Sequence, residues 1–275
     1  MTEPDPATTD RSTMPFVAPC RSISAFAPFG WLRRGFADLK RAPRESMLYG
    51  MVMAGIMAAV SAAAWAYGTH WLMVAMIGGF VFLAPLCCIG LYAISAQIER
   101  DQDVSMARSL RAAFKRHFGN EMLFAIVLLV IFMVWARAGM MLTVFIPTEG
   151  EPGFQGLATF LGVGTLVGAF FAGVTFTASA FSLPMIMHRD VDTVTAIVTS
   201  VNAVLRNKGA MIVWMTLIIA GLLIGLFTAF VGLVVILPII GYGAWHGYLE
   251  TIDASQFPRH PVGITSVPRQ TEAEA

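Results

Sequence analysis

Charged side chains are scarce in this sequence. Only 13% of the 275 residues are Asp, Glu, Lys or Arg, against about 25% in an ordinary soluble domain, whereas 57% are hydrophobic. The mean hydropathy is correspondingly high, at +0.70. This composition excludes a water-soluble globular domain and predicts an integral membrane protein.

Residue groups that commonly carry redox or catalytic chemistry are also lacking. The three cysteines, Cys20, Cys87 and Cys88, are too few for a disulfide framework, and the adjacent pair lies in an apolar run. The sequence shows no nucleophile beside a base, no cluster of metal ligands and no phosphate-binding loop. We therefore predict a protein that is not an enzyme, with no catalytic residues, no cofactor and no metal.

Apolar runs of membrane-spanning length are abundant. A helix needs roughly 20 apolar residues to cross about 30 Å of hydrocarbon. Six uncharged or nearly uncharged runs approach or exceed that length: 46–67, 71–95, 122–146, 157–187, 210–229 and 231–248. The last two touch and could form one bent segment, but the stretch "TAFVG" can turn tightly between them. We predict a hairpin there, and an all-α polytopic protein with six transmembrane helices.

The basic residues predict which side of the membrane each loop occupies. Lys and Arg number six from Arg21 to Arg44, five from Arg100 to Arg116, three from Arg189 to Lys208 and two in the carboxyl-terminal tail. Because basic residues mark cytoplasmic loops, both termini and the long loops are expected in the cytoplasm. Four aromatic residues are expected near the inner membrane boundary: Trp31, Trp214, Trp245 and Tyr248.

A basic stretch with helical apolar spacing precedes each pair of predicted spans. The three stretches are "WLRRGFADLKR", "SLRAAFKRH" and "SVNAVLRNK". Each is expected to lie in the membrane interface, so the predicted unit is an interfacial amphipathic helix plus a transmembrane hairpin, used three times. The predicted organisation is a disordered tail over 1–29, a six-helix membrane domain over 30–252 and a second disordered tail over 253–275.

The second and third basic stretches are each preceded by a similar four-residue sequence, "RDQD" at 100–103 and "RDVD" at 189–192. Two aspartates two positions apart can hold a divalent cation, which would give metal sites on the cytoplasmic face. The simpler interpretation is that Asp103 and Asp192 are helix N-caps, while Arg100 and Arg189 anchor the preceding spans to lipid headgroups. We favour the N-cap interpretation.

Arg137 is the candidate binding residue. It lies within "IVLLVIFMVWARAGMMLTVF", and none of the 17 acidic residues falls inside a predicted span. An intramembrane charge usually marks a functional site, so Arg137 is expected in the bundle interior. Its partner would be a bound anion, a lipid phosphate or the acid of another protein, or else carbonyls, water and the hydroxyls of Thr175, Thr177, Ser179 or Ser182.

Secondary candidates lie near the inner ends of the spans. His246 and Glu250 are four residues apart and share a helix face, so a proton relay is conceivable, although polar and aromatic residues are ordinary at that depth. Two pairs of glycines, Gly164 with Gly168 and Gly221 with Gly225, indicate close helix packing. Pro85, Pro184 and Pro238 are expected to kink their helices.

Several stretches carry a resemblance to a known family: "FLAPLCCIGLYAIS", "VWARAGMM", "SLPMIMHRDVDTVTAIVTSVNAVLRNKGAMIVW" and "GLVVILPIIGYGAWHGY". With the basic stretch before the first span, they resemble the integral membrane family called domain of unknown function 2189, from about residue 31 to 251. The resemblance implies a bacterial inner-membrane protein with no established activity. Residues that fall on the family's pattern are Trp135, Arg137, Pro184, Arg189, Asp192, Trp245 and His246. Ala93, Ala96 and Tyr242 depart from it.

Two functions remain open from the sequence. An accessory or assembly factor, or a lipid-contacting protein, agrees with the shortage of polar residues in the spans. A transporter or permease for a small anionic or lipid substrate agrees with repeats and prolines. Some relatives carry a cytochrome oxidase label, but five histidines, with only His246 in a span, cannot build a haem-copper centre. Expected partners are the lipid bilayer, anionic lipid and another membrane protein complex, and no nucleic acid.

Overall fold

The structure is a computed structural model that describes residues 15–67, 79, 82, 84–100, 104, 118–141 and 154–258. Within this part of the chain the regular structure is helical, apart from an isolated bridge between Cys20 and Ile252. The all-α prediction is confirmed there. The second basic stretch, Asp103 and the first half of the second predicted span lie outside the described residues.

Nine helices lie within the described residues. In chain order they are α1 (Ala27–Arg41), α2 (Pro43–Tyr67), α3 (Ile89–Glu99), α4 (Phe118–Met141), α5 (Phe154–Ser179), α6 (Ser182–His188), α7 (Thr193–Arg206), α8 (Lys208–Phe227) and α9 (Leu233–Thr251). α1 ends at Arg41 because Ala42 precedes Pro43, and a residue before proline avoids helical backbone angles.

Five segments of the described chain are long and apolar enough to cross a membrane. They are Pro43–Ala66, Gly119–Met141, Gly162–His188, Lys208–Phe227 and Leu233–Thr251. They coincide with every predicted span except the second, whose described part forms the shorter apolar helix Ala84–Glu99. Five candidate spans are therefore present, and the sixth stays a prediction.

The last two spans form a hairpin. The turn after α8 places Ala229 and Phe230 in the left-handed region, with φ of 49° and 70°, and Phe230 N donates to Gly225 O at 2.8 Å. A Cβ on Gly225 would lie 2.2 Å from Leu233 Cδ2, so the absence of a side chain lets α8 and α9 close on each other. The predicted hairpin is confirmed. No such packing exists at Gly168, where an added Cβ would meet no atom within 4 Å.

α9 is the central helix of the described fold. It contacts α1, α2, α3, α6 and α8. In its most apolar stretch of 18 residues, 56% of the residues are buried, against 11% in the corresponding stretch of α4. Close approach to α9 depends on glycine. A Cβ on Gly35 would lie 2.5 Å from Ile239 O, and one on Gly50 would lie 2.1 Å from Val234 O. The backbones of α1 and α2 therefore touch α9 directly.

The four aromatic residues expected near the inner boundary are buried in the core. Trp31 and Trp214 pack edge to face with ring centroids 5.4 Å apart, and Trp245 packs on Tyr248 at 5.8 Å. All four side chains are at most 1% exposed. Their burial shows that they hold helices together and do not form a lipid-facing belt.

Both predicted tail boundaries differ from the structure. Residues 15–26 run without a helix along α7 and across the end of α9, where Ala18 N donates to Thr199 Oγ1 at 3.1 Å and Arg21 N donates to Thr251 O at 2.8 Å. Ala18, Cys20, Ala254 and Phe257 are buried, and this burial raises the pKa of the Cys20 thiol. Both short segments, before α1 and after α9, pack against the core because they carry these apolar side chains.

The fourth span is interrupted, as Pro184 predicts. α5 ends at Ser179 and α6 begins at Ser182. α7 satisfies the polar groups around the break, because Phe181 N donates to Ser200 Oγ at 3.2 Å and Ser182 Oγ donates to Ala196 O at 3.2 Å. α9, in contrast, continues through Pro238 without interruption.

Asp192 is the N-cap of α7. Its Oδ1 accepts a hydrogen bond from Thr195 N at 2.9 Å, which confirms the N-cap interpretation for this residue. Partial burial raises the pKa of the carboxyl, but the hydrogen bonds from Thr195 and the neighbouring amides outweigh burial and lower it below its usual value. No group of three or more His, Cys, Asp or Glu side chains that could hold a metal ion occurs among the described residues.

Substituting Gly35 tests the α1–α9 contact. We expect Gly35→Ala to lower the free energy of unfolding by about 1–3 kcal/mol, because the new methyl group would meet the rigid carbonyl of Ile239. Gly30→Ala, on the same helix with no atom within 4 Å, is the matched control and should be neutral or slightly stabilising. Thermal unfolding in detergent measures both, and equal effects would contradict the contact.

Substituting Asp192 tests the cap. Asp192→Ala should cost about 1 kcal/mol, whereas Asp192→Asn should cost only a few tenths because asparagine caps as well as aspartate does. Since the folded-state pKa is lowered, the carboxylate's contribution is present above the unfolded-state value near 3.8 and is lost as pH falls below it. Urea unfolding at pH 7 and pH 3.5 should show a larger loss in the wild type than in the Asn variant, which keeps the other carboxylates.

Candidate functional site

A buried carboxylate joins three helices at one end of the bundle. Asp38 lies on the face of α1 that also buries Trp31 and Gly35, and its side chain is 8% exposed. Asp38 Oδ2 accepts a hydrogen bond from Ser95 Oγ of α3 at 2.5 Å and lies 2.8 Å from His246 Nε2 of α9. A carboxylate removed from water needs such partners, so Asp38 fixes α1 against α3 and α9.

The order of these groups excludes nucleophilic catalysis by Ser95. In a catalytic triad the histidine lies between the hydroxyl and the acid, so that it can take the hydroxyl proton. Here the carboxylate lies in the middle, and Ser95 Oγ donates to it. His246 has no hydrogen bond to Ser95. The cluster therefore acts as a clamp between helices.

Glu250 makes a second polar contact with α1, one turn beyond His246. Glu250 Oε2 accepts a hydrogen bond from Trp31 Nε1 at 3.2 Å and forms an ion pair with Arg34. His246 and Glu250 thus share a helix face, as their spacing predicts. His246 bonds Asp38, whereas Glu250 bonds Trp31 and Arg34. These contacts hold α9 against α1, and no hydrogen bond joins His246 to Glu250 for a proton relay.

Tyr242 extends the polar contacts towards α2. Its hydroxyl lies 2.6 Å from Ser46 Oγ, which in turn donates to Ala42 O at 2.6 Å. Tyr242, one of the three residues that depart from the family pattern, is fully buried and hydrogen-bonded. Polar side chains of α9 contact α1 and α2 over successive turns.

Arg137 is not in the bundle interior. Its side chain is exposed on α4, and among the described residues no hydrogen bond or ion pair reaches the guanidinium. Of the hydroxyls proposed as partners, Thr177 Oγ1 donates to Gly173 O at 2.7 Å and Ser182 donates to Ala178 O and Ala196 O. Thr175 Oγ1 is buried and has no hydrogen-bond partner among the described residues. The prediction of burial is wrong because α4 turns this face away from α5 and α7, the helices it packs against.

A cavity of about 390 Å³ opens where α3, α6 and α9 end. Its polar lining includes three arginines, His188, Tyr248, Glu99 and Asp253. His188 Nδ1 lies 2.9 Å from Tyr248 OH, and hydrogen bonds from Ser255 together with the charges of Arg21 and Arg189 lower the pKa of Asp253. The three arginines exceed the carboxylates of Glu99 and Asp253 by one positive charge, and cations complement the carbonyl ends of the helices that meet there.

Arg189 does not anchor a span to lipid headgroups. Its side chain is buried, and Nη1 donates to Phe257 O at 2.8 Å. The segment after α9 therefore covers Arg189 and places it inside the protein. The predicted headgroup contact is wrong for this residue.

An all-helical chain with five apolar helices of spanning length is a polytopic integral membrane protein. Residues 72–188 match the model of a family described as predicted integral membrane protein (DUF2189), which confirms the resemblance over that range. The match includes Arg137 and Pro184. Searches of curated proteins and of solved structures each returned no match.

Removing the Asp38 carboxylate should destabilise the protein strongly. Asp38→Ala leaves the Ser95 hydroxyl and the His246 ring without their buried acceptor, so we expect a loss of about 3 kcal/mol. Asp38→Asn keeps an oxygen in place and should lose about 1 kcal/mol. Thermal unfolding in detergent compares the variants, and equal losses would show that the carboxylate oxygen does not hold the helices together.

Proposed function

We propose that this protein is a non-enzymatic accessory protein of a membrane, acting through lateral contacts within the bilayer. Arg137 is the polar residue of the contact surface, and it binds an anionic group, either a lipid phosphate or an acidic side chain of a membrane partner. One observation carries the proposal: Arg137 lies on the exposed side of α4 among apolar residues that are also exposed.

The surrounding surface is apolar and continuous. Exposed residues recur every three or four positions along α4: Ile126, Leu129, Val130, Met133, Val134, Met140 and Met141. This spacing places them on the same side of the helix as Arg137. A guanidinium on such a surface meets lipid or another protein, and an anionic partner favours its charge there.

The position of Arg137 along α4 supports contact with phosphate. Asn120, near the start of α4, is held at the end of the bundle by Thr193 Oγ1, which donates to Asn120 O at 2.9 Å. From Glu121 to Arg137 is 16 residues, or about 24 Å of helix, in a hydrocarbon layer of about 30 Å. The guanidinium can therefore extend towards the headgroups at the far boundary.

A carrier for a small anion or a lipid has less support. Such a protein needs polar groups along a route through the bundle, whereas Ser95 and His246 both bond Asp38 at one end. The interrupted fourth span is also a weak candidate for a substrate site, because Ser200 of α7 already hydrogen-bonds the backbone groups of Phe181 and Thr177 beside the break.

The finer topology is part of the proposal. We infer six spans, three repeats of an interfacial helix plus a hairpin, and cytoplasmic termini in a bacterial inner membrane. The helices α1 and α7 support the repeat, since each is amphipathic and each directly precedes a candidate span. The distribution of Lys and Arg supports the orientation.

Native mass spectrometry of the detergent-purified protein tests the role of Arg137. The wild type should retain anionic phospholipid or a partner, and Arg137→Leu should reduce that retention roughly fivefold, as expected from about 1 kcal/mol for a cation at an anionic surface. Arg137→Lys keeps the charge and is the matched control.

If wild type and Arg137→Leu retain the same lipids and proteins, the proposed binding role fails. Loss of retention with Arg137→Leu but not with Arg137→Lys would support it, and the mass of the lost component would separate lipid from protein. Loss with both variants would indicate a site that depends on the shape of arginine.

A further inference from the structure

The side of α1 that faces away from α9 exposes three phenylalanines. Phe26, Phe29 and Phe36 are 73%, 53% and 44% exposed. The rings of Phe26 and Phe29 stack with centroids 6.4 Å apart, and Lys40 Nζ lies 4.5 Å from the centroid of the Phe36 ring. So much exposed aromatic surface on one short helix indicates a contact with something outside the described chain.

Basic residues lie beside these rings. Phe29, Arg33, Phe36 and Lys40 are spaced by four, three and four residues, so they follow one side of α1. The partly buried Leu32 and Leu39 border this side towards the core. Arg33 and Lys40 have no acidic partner among the described residues, whereas Arg34 is paired with Glu250. We call Phe26, Phe29, Arg33, Phe36 and Lys40 the outer face of α1.

The chain holds this face at an end of the membrane spans. Only Ala42 separates α1 from the candidate span Pro43–Ala66. On the other side of α1, Trp31 packs on Gly247 near the end of α9, where a Cβ would lie 2.9 Å from the ring. Gly35 approaches Ile239 farther along α9, so α1 lies beside α9 from its end to near its middle and directly precedes α2.

We propose that the outer face of α1 binds anionic phospholipid headgroups of the adjacent leaflet. The phenylalanine rings enter the boundary between headgroups and acyl chains, and Arg33 and Lys40 contact the phosphates. This arrangement of aromatic residues beside cations is that of a helix lying in the interface plane. The one acidic residue of α1, Asp38, points to the opposite side, so the face has the charge that attracts an anionic leaflet.

The full-length protein in detergent micelles provides the test, with fluorescent phosphatidylglycerol as the anionic probe and fluorescent phosphatidylcholine as the neutral one. The wild type should bind phosphatidylglycerol more tightly. The double variant Arg33→Gln with Lys40→Gln should weaken that binding roughly tenfold to thirtyfold, as expected from about 1 kcal/mol for each basic residue. Phe29→Ala with Phe36→Ala should weaken binding of both lipids.

The control changes net charge equally at another place. Arg259 and Arg269 lie in the carboxyl-terminal tail, outside the predicted interfacial helices, and the double variant Arg259→Gln with Arg269→Gln should bind phosphatidylglycerol as the wild type does. An equal loss in both double variants would overturn the proposal, since it would show a general effect of net charge. The proposal would also be overturned if the wild type showed no preference for phosphatidylglycerol. If a co-purifying protein were lost from the variant Phe29→Ala with Phe36→Ala, the face would instead bind a protein partner.

The result is separable from the role proposed for Arg137. If Arg137→Leu abolishes phosphatidylglycerol binding and the α1 variants do not, the outer face of α1 is not the lipid site and the proposed function stands. The reverse pattern supports the α1 site and removes lipid phosphate as the partner of Arg137.

Discussion

The contact between α1 and α9 is the constraint on which the described structure depends. Lipid provides little hydrophobic drive for helices to associate, so close packing and interhelical hydrogen bonds must hold them together. Gly35 gives the close packing by bringing α1 against the backbone of α9, and Asp38 gives the hydrogen bonds to Ser95 and His246. Each depends on the other, because the carboxylate is buried only when the backbones touch.

The rest of this end of the bundle is arranged around this contact. Trp31 lies between α8 and α9 and bonds Glu250, while the segment before α1 and the segment after α9 cross the same end of the bundle. α4 is different, since it exposes most of its apolar side chains and presents Arg137 outward. One end of the bundle is therefore tightly packed, and one side is open to lipid or a partner. This division supports a protein that works through its lateral surface.

Much of this fold follows from sequence alone, and the failures have physical causes. Span lengths, the α8–α9 hairpin and the cap at Asp192 depend on local hydropathy and spacing, which one segment determines by itself. The burial of Asp38, the packing of the segment containing Ala18 and the exposure of Arg137 depend on which helices become neighbours. Asp38 could have been noticed, since its spacing from Trp31 and Gly35 places it on their face. No feature of the sequence around Arg137 indicates which way α4 turns.

A double-mutant cycle on Asp38 and His246 tests the central contact most directly. The free energy of unfolding in detergent would be measured for the wild type, Asp38→Ala, His246→Ala and the double variant. If the two side chains interact across the α1–α9 contact, the effects should be non-additive by about 1–3 kcal/mol. Additive effects within about 0.5 kcal/mol would show that the pair does not join the helices, and would contradict a fold that depends on the α1–α9 contact.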